Sequence, residues 1–263
     1  MIIDFNGKKI YAETHGDGEA LVMLNGIMMS TPSWTQFIPA LSSRNKLILL
    51  DMLDQGQSSR MSEGYDITLQ ADVLKKVLDE LGIKKATICG ISYGASVAMN
   101  FAIKYPDYAD KLILFNCVPY TSQWMRDIGK GWKLARHSPQ AYYHTTIPVI
   151  YSADFYNHNP EWIAARKEFL MQHVFNNKDF LDAMDRLTDS AVAHDVRDEL
   201  AGITAKTLLV GSKEDYLTPP QQQKYIRERV PGANLVVIEN CGHAAMYEQP
   251  DIFTALITGF VNE

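Results

Sequence analysis

One serine of the sequence lies in a setting that could make it a nucleophile. The pentapeptide Gly-Ile-Ser-Tyr-Gly at 90–94 falls between an apolar run at 86–91 and a helical pattern at 93–104. Gly-x-Ser-x-Gly at a strand-to-helix junction is typical of a nucleophile elbow, in which a tight turn exposes the serine hydroxyl. The helix that follows directs its N-terminus at the group under attack. We therefore predict that Ser92 is a nucleophile.

A serine hydroxyl is a weak nucleophile at neutral pH and needs a base within hydrogen-bonding distance. His243 is the candidate base, because it follows a predicted strand at 234–239 and would lie at the same sheet edge as Ser92. The other histidines are expected to have surface or structural roles. His15 precedes a Gly-Asp-Gly turn, and the remaining five fall between residues 137 and 194.

The imidazole in turn needs a carboxylate that holds it in the working tautomer. Asp215 and Glu214 both follow a predicted strand at 206–211, which would end at the same sheet edge. Neighbouring residues on a tight loop generally point apart, so only one of them should face the histidine. We predict Asp215, with Glu214 as the alternative.

Strands and helices that alternate along the chain would position these residues. Apolar runs predict strands at 8–14, 20–25, 46–50, 86–91, 111–117, 206–211 and 234–239, and helical patterns occur at 33–42, 68–81, 93–104, 220–230 and 251–261. Uninterrupted apolar strands between helices predict an α/β fold with a mostly parallel central sheet and helices on both faces. Thr68 is expected to cap its helix and Gly82 to end it.

The segment from Val118 to about Asp195 has a different character. It is rich in Tyr, Trp and His, its periodicity is helical, and strand-like runs are nearly absent. We predict a core formed by residues 1–117 and 196–263, with residues 118–195 as a helical cap. The cap would lie at the C-terminal edge of the sheet, where ligands bind in such folds.

With these features the sequence resembles the α/β-hydrolase family over essentially its whole length, including the chain order Ser, Asp, His. The segment 241–250, Cys-Gly-His-x-x-x-x-Glu-x-Pro, is similar to that around the family's catalytic histidine, and 215–219 is similar to its acid loop. By this resemblance, the backbone amides of Ile27 and Tyr93 would form the oxyanion hole. Losing one such donor costs roughly 3–4 kcal/mol of transition-state stabilisation.

Two residues depart from the family pattern. Asn25 stands where the family usually has a histidine after its third strand, and Asp54 occupies the first glycine position of an Asp-x-x-Gly-x-Gly-x-Ser loop. Aspartate tolerates the left-handed backbone better than most residues, so the turn can survive. Neither departure affects Ser92, Asp215 or His243, but both weaken assignment to a subfamily.

Because the predicted nucleophile is serine rather than aspartate, the resemblance favours acyl chemistry over dehalogenation or epoxide hydrolysis. The expected protein is a serine hydrolase that cleaves a carboxylic ester or thioester through an acyl-enzyme on Ser92. His243 would act as base and then acid, and Asp215 would orient it. Ester and thioester are not separated by these residues, and carbon–carbon hydrolysis and perhydrolysis are rarer outcomes. The alternative is a ligand-sensing or signalling protein that keeps these residues and relies on movement of the cap.

Methionine and aromatic side chains near the predicted site indicate the kind of substrate. Met28, Trp124 and Tyr143 are predicted to line an adaptable apolar pocket for a small molecule with an apolar or aromatic acyl group. The alternative is that such residues simply pack the cap onto the core.

Composition restricts the other partners. The chain has 263 residues and a net charge of −6, which argues against nucleic acid or an anionic membrane as the main partner. The three cysteines have no Cys-x-x-Cys spacing, so neither a disulfide framework nor a zinc site is expected, and a reducing cytoplasm is the expected location. No motif indicates a metal or a nucleotide cofactor.

Overall fold

The computed structural model describes all 263 residues and contains one eight-stranded sheet. Its strands are β1 (Ile2–Phe5), β2 (Lys8–His15), β3 (Glu19–Leu24), β4 (Asn45–Asp51), β5 (Ala86–Ile91), β6 (Ala109–Phe115), β7 (Lys206–Ser212) and β8 (Asn234–Ile238). Their order across the sheet is β1-β2-β4-β3-β5-β6-β7-β8. β2 runs antiparallel to β1 and β4, and all other pairs are parallel. The predicted mostly parallel sheet is confirmed.

Helices cover both faces of this sheet because its strand residues are apolar on both sides. Val22 and Leu24 of β3 pack in one apolar cluster, whereas Leu21 and Met23 pack in the cluster on the opposite face. The helices are α1 (Ile38–Leu41), α2 (Thr68–Glu80), α3 (Tyr93–Lys104), α4 (Gln123–Ala135), α5 (Pro139–Thr146), α6 (Ala153–His158), α7 (Pro160–Phe169), α8 (Lys178–Ser190), α9 (Pro220–Arg227), α10 (Ala245–Glu248) and α11 (Pro250–Val261). Residues of α2, α3 and α9 belong to the first cluster, and residues of α1 and α11 to the second.

The element boundaries differ from the predicted ones in a few places. Strand β1 was not predicted, and the helix predicted at 33–42 begins as a 3₁₀ helix, Thr31–Phe37, before α1. Thr68 does not cap α2; instead its amide and hydroxyl donate to the Asp66 carboxylate. Gly82 has the predicted left-handed conformation, with φ of +67°.

The chain between β6 and β7 contains only helices, α4 to α8, and α7 continues as a π-helical turn at Leu170–Val174. These helices enclose an apolar cluster of their own. They are tied to the rest of the chain by polar contacts. The Tyr93 hydroxyl lies 2.8 Å from that of Ser190, and Arg186 forms an ion pair with Asp54 at 2.6 Å. The division into a core and a cap at residues 118–195 stays a prediction. None of the helices combines the length and apolar character needed to cross a membrane.

Candidate active site

The turn from β5 into α3 gives Ser92 an unusual backbone conformation, with φ of 54° and ψ of −115°. Glycines on both sides of the serine make this turn possible. A Cβ on Gly90 would lie 2.4 Å from the Gly94 carbonyl oxygen, and one on Gly94 would lie 2.4 Å from the Leu24 carbonyl oxygen. Backbone therefore occupies the space that larger residues would need, and the strained serine projects beyond the end of the strand.

His243 and Asp215 are in direct contact. The imidazole Nδ1 lies 2.7 Å from Oδ2 of Asp215, whose side chain is fully buried. Glu214 does not take part: it lines a separate surface groove, and its amide donates to the Cys241 carbonyl oxygen. The loop after β7 thus presents only one of its two acidic side chains to the imidazole.

Asp215 accepts hydrogen bonds on both carboxylate oxygens. The amides of Leu217 and Thr218 donate to Oδ1 at 2.8 and 2.9 Å, and the Thr218 hydroxyl and the Asn116 side-chain amide donate to Oδ2 at 2.6 Å each. Burial by itself would raise the pKa of Asp215. The charge of His243 and the hydrogen bonds from His243 and Thr218 outweigh burial and lower the pKa to about 2. The Asp215 carboxyl group is therefore ionised at neutral and mildly acidic pH.

Ser92 and His243 line the same cavity, which has a volume of about 730 Å³. The cavity lies between the carboxyl ends of β3, β5 and β6 and the helices α4, α7 and α8. No hydrogen bond joins the Ser92 hydroxyl to the imidazole in this structure. Catalytic hydrogen bonds are often long without substrate and tighten when substrate binds.

The backbone on both sides of His243 is fixed by Glu248 and the segment 150–152. Glu248 accepts from the Gly242 amide at 3.1 Å, the Ser152 amide at 3.2 Å and the Ser152 hydroxyl at 2.6 Å. The Ala244 amide donates to the Ile150 carbonyl oxygen at 2.9 Å. Burial raises the pKa of Glu248 above its usual range. The histidine loop is therefore held against the helical segment by a buried carboxyl group.

Of the two predicted oxyanion-hole residues, Ile27 lines this cavity, whereas Tyr93 is not among the lining residues but directly follows Ser92, which is. Ile27 follows β3 and its amide makes no hydrogen bond within the protein, and Tyr93 is the first residue of α3, where helical amides lack intrahelical partners. Asn25 fixes the loop that carries Ile27. Its side-chain amide donates to the Leu50 carbonyl oxygen at 3.0 Å, and its Oδ1 accepts from the Trp34 indole at 2.7 Å.

Asp54 adopts the left-handed conformation that favours glycine, with φ of 68°. Its side chain is fully buried at the cavity wall, where Oδ1 accepts from Arg186 of α8 at 2.6 and 3.0 Å and from the Met61 amide at 3.0 Å. An aspartate at this position therefore retains the turn and adds an ion pair to the helical segment.

The three predicted substrate-binding residues lie in different places. Met28 lines the cavity. Trp124 is 63% exposed beside the separate groove, and Tyr143 is fully buried among the helices of the insertion. Neither lines the cavity, so we leave both out of the proposed substrate site. The aromatic and basic residues that do line it from the insertion include Trp132, Phe169, Phe180 and Arg166.

Asn116, Thr218 and Glu248 support the candidate site and were missed as functional residues. Asn116 could have been noticed, because it comes directly after β6 and therefore lies at the same sheet edge as Ser92. Its φ of 49° ends that strand two residues earlier than predicted. Thr218 and Glu248 lie within the two segments already singled out, but spacing alone does not show what their side chains contact.

The fold and the arrangement of these residues define a class of protein. A sequence model of the α/β hydrolase fold family matches residues 19–250, and the chain belongs to this family. It is therefore a hydrolase.

Individual relatives cover nearly the whole chain. It is 48% identical to MGS-M2, an α/β hydrolase enzyme from a Medee basin deep-sea metagenome library, whose crystal structure superposes with a TM-score of 0.98 over 100% of this chain and 98% of that one. It is 28% identical over 262 residues to the putative carbamate hydrolase RutD of Pseudomonas savastanoi pv. phaseolicola, covering 97% of this chain and 98% of that protein. It is also 28% identical over 271 residues to the 2-hydroxy-6-oxo-6-phenylhexa-2,4-dienoate hydrolase of Comamonas testosteroni, covering 99% and 93% respectively.

Proposed function

We propose that this protein is a serine hydrolase that cleaves a carboxylic ester or thioester through an acyl-enzyme on Ser92. The observation that carries the proposal is the 2.7 Å contact between His243 Nδ1 and buried Asp215, in the cavity that Ser92 also lines. A carboxylate behind one ring nitrogen leaves the other free to act as a base.

The proposed reaction uses each group in turn. His243 Nε2 takes the proton of the Ser92 hydroxyl as the oxygen attacks the acyl carbon. The amides of Ile27 and Tyr93 donate to the oxygen that becomes negative. The protonated imidazole then gives its proton to the departing alcohol or thiol. Water, activated by the same imidazole, finally hydrolyses the acyl-enzyme and restores the serine.

The cavity supports a small substrate with an apolar or aromatic acyl group. Its wall is mainly apolar, with Met28, Met29 and Phe180 among its members. Methionines adapt to differently shaped ligands because their side chains are flexible and polarisable. The relatives are named for carbamate and dienoate substrates, so a direct comparison of bond types is part of the test.

The test is turnover of chromogenic carboxylic esters and thioesters, with carbamates and dienoates for comparison, by wild type, Ser92→Ala and the matched control Ser43→Ala, whose serine is exposed away from the cavity. We expect hydrolysis by wild type and Ser43→Ala, and a loss of about a thousandfold or more in Ser92→Ala. A fluorophosphonate probe should label Ser92 in the first two proteins. If wild type and Ser92→Ala are equally inert and the probe leaves Ser92 unlabelled, the proposal is wrong and the ligand-sensing alternative is favoured.

A further inference from the structure

The charges that line the cavity do not cancel. Apart from histidines, its ionisable acidic and basic residues are Asp54, Arg60 and Arg166. Asp54 is already paired with Arg186, and exposed Arg60 donates to the Gly56 carbonyl oxygen at 3.1 Å. Arg166 is therefore the inner cationic group whose charge no acidic side chain neutralises.

The Arg166 side chain makes no ion pair with an acidic residue, and the polar side chain within its reach is that of Tyr151. Its guanidinium carbon lies 5.3 Å from the centre of the Tyr247 ring, on the helix that follows His243, and its Nε is buried without a partner. Stacking on an aromatic ring orients a guanidinium but uses none of its donors. A half-buried guanidinium in this state has its N–H groups available for an acceptor from outside the protein.

A second donor in the cavity wall is also without a partner. Trp132 of α4 lines the cavity, and its indole Nε1 is buried with no hydrogen-bond acceptor. Buried donors are almost always satisfied in folded proteins, and leaving one unpaired costs about 1–3 kcal/mol. Two such donors in the lining of one cavity indicate that an acceptor on the ligand completes the site.

We infer that Arg166, assisted by Trp132, binds a carboxylate at the end of the substrate remote from the reacting carbonyl. The substrate class is then a small half-ester or half-thioester of a dicarboxylic acid, or an acyl compound with an equivalent anionic end. This inference rests on the proposed acyl chemistry for the identity of the reacting bond. A carboxylate matches the Arg166 guanidinium in charge and in geometry, because its two oxygens can accept two parallel hydrogen bonds from the guanidinium.

The experiment compares two esters of equal chain length, the 4-nitrophenyl half-ester of adipic acid and 4-nitrophenyl hexanoate. In Arg166→Met, the ratio of kcat/KM for the charged ester to that for the neutral ester should fall about ten- to a hundredfold, as expected for loss of a charged hydrogen-bonding pair. Arg166→Lys should recover part of this ratio because it keeps the charge but not the planar fork. Trp132→Phe should lower the ratio by a smaller factor.

The neighbouring Lys167→Met is the matched control. Lys167 is on the same helix but stacks on the Tyr143 ring outside the cavity, so its removal should leave the ratio within about twofold of wild type. An equal ratio in wild type, Arg166→Met and Lys167→Met overturns the inference.

A binding measurement separates this inference from the proposed function. Ser92→Ala and Ser92→Ala/Arg166→Met are titrated calorimetrically with monomethyl adipate and methyl hexanoate, which neither protein should hydrolyse. Preference for the adipate ester that disappears with Arg166 supports the anionic site, even if wild type turns over neither ester and the proposed function fails. Absence of that preference overturns the site, even if Ser92 proves to be catalytic.

Discussion

Replacing Glu248 tests whether this buried carboxyl group fixes the candidate base. In Glu248→Ala the amides of Gly242 and Ser152 lose their acceptor in a buried setting. At about 1–3 kcal/mol for each unpaired amide, the free energy of unfolding should fall by about 2–6 kcal/mol. Glu248→Gln keeps one oxygen that can accept from both amides, so its loss should be about 1 kcal/mol. Glu228→Ala, at an exposed glutamate, is the matched control.

The activity of these variants separates positioning from simple stability. His243 is bracketed by the two backbone contacts that Glu248 and Ile150 make with residues 242 and 244. Displacing a catalytic group by about 1 Å can lower a rate by about a hundredfold, so Glu248→Ala should reduce kcat more than it changes KM. Amide hydrogen exchange at residues 242 and 244 should accelerate in parallel.

The pH dependence has a defined direction. Burial raises the pKa of Glu248, so protonation favours the folded state: this stabilising contribution is present below the usual carboxyl range and is lost as pH rises through the folded-state pKa. Glu248→Gln lacks it, so the stability advantage of wild type should shrink as pH rises. Urea unfolding at a series of pH values measures this. If Glu248→Ala matches Glu228→Ala in unfolding midpoint, kcat and hydrogen exchange, the assigned positioning role is refuted.

Three further substitutions have expected outcomes. Asp215→Asn should lower kcat by about 10⁴-fold. The pKa of the wild-type Asp215 carboxyl group is lowered to about 2, so its stabilising contribution is present above the usual carboxyl range and is lost only as pH falls towards that value. The activity of Asp215→Asn relative to wild type should therefore stay constant between neutral and mildly acidic pH. Gly94→Ala places a Cβ 2.4 Å from the Leu24 carbonyl oxygen and should cost about 3 kcal/mol in urea unfolding; an unchanged midpoint would contradict the close approach. Arg186→Met leaves the fully buried Asp54 carboxylate without its ion-pair partner and should lower the free energy of unfolding by about 3 kcal/mol. Adding Asp54→Asn should recover much of this loss, and no recovery in the double variant would argue against the ion pair.

The sheet and the position of the candidate residues could be predicted from the sequence because both depend on local patterns. Buried parallel strands are apolar without alternation, and their carboxyl ends meet at one edge of the sheet. Ser92, Asp215 and His243 each follow such a strand, so their convergence required no knowledge of long-range contacts. Their proposed chemical roles rest on the experiments described above.

Side-chain contacts across the insertion could not be predicted in the same way. Helical periodicity predicts that α4 has an apolar face, but not whether that face meets the core, another helix or a cavity. Trp124, Trp132 and Tyr143 are all aromatic residues of this segment, yet only Trp132 lines the cavity. The unpaired charge of Arg166 could not be predicted from the sequence either, because it depends on which acidic residues lie nearby in space.

The most direct test of the proposed mechanism is the mass of the peptide that contains Ser92, measured after rapid acid quenching of wild type during turnover of 4-nitrophenyl acetate. An acyl-enzyme mechanism predicts that this peptide gains one acetyl group as a burst of nitrophenol is released, and that the adduct disappears when substrate is exhausted. Steady ester hydrolysis with an unmodified Ser92 peptide, or with the acetyl group on another residue, would contradict it.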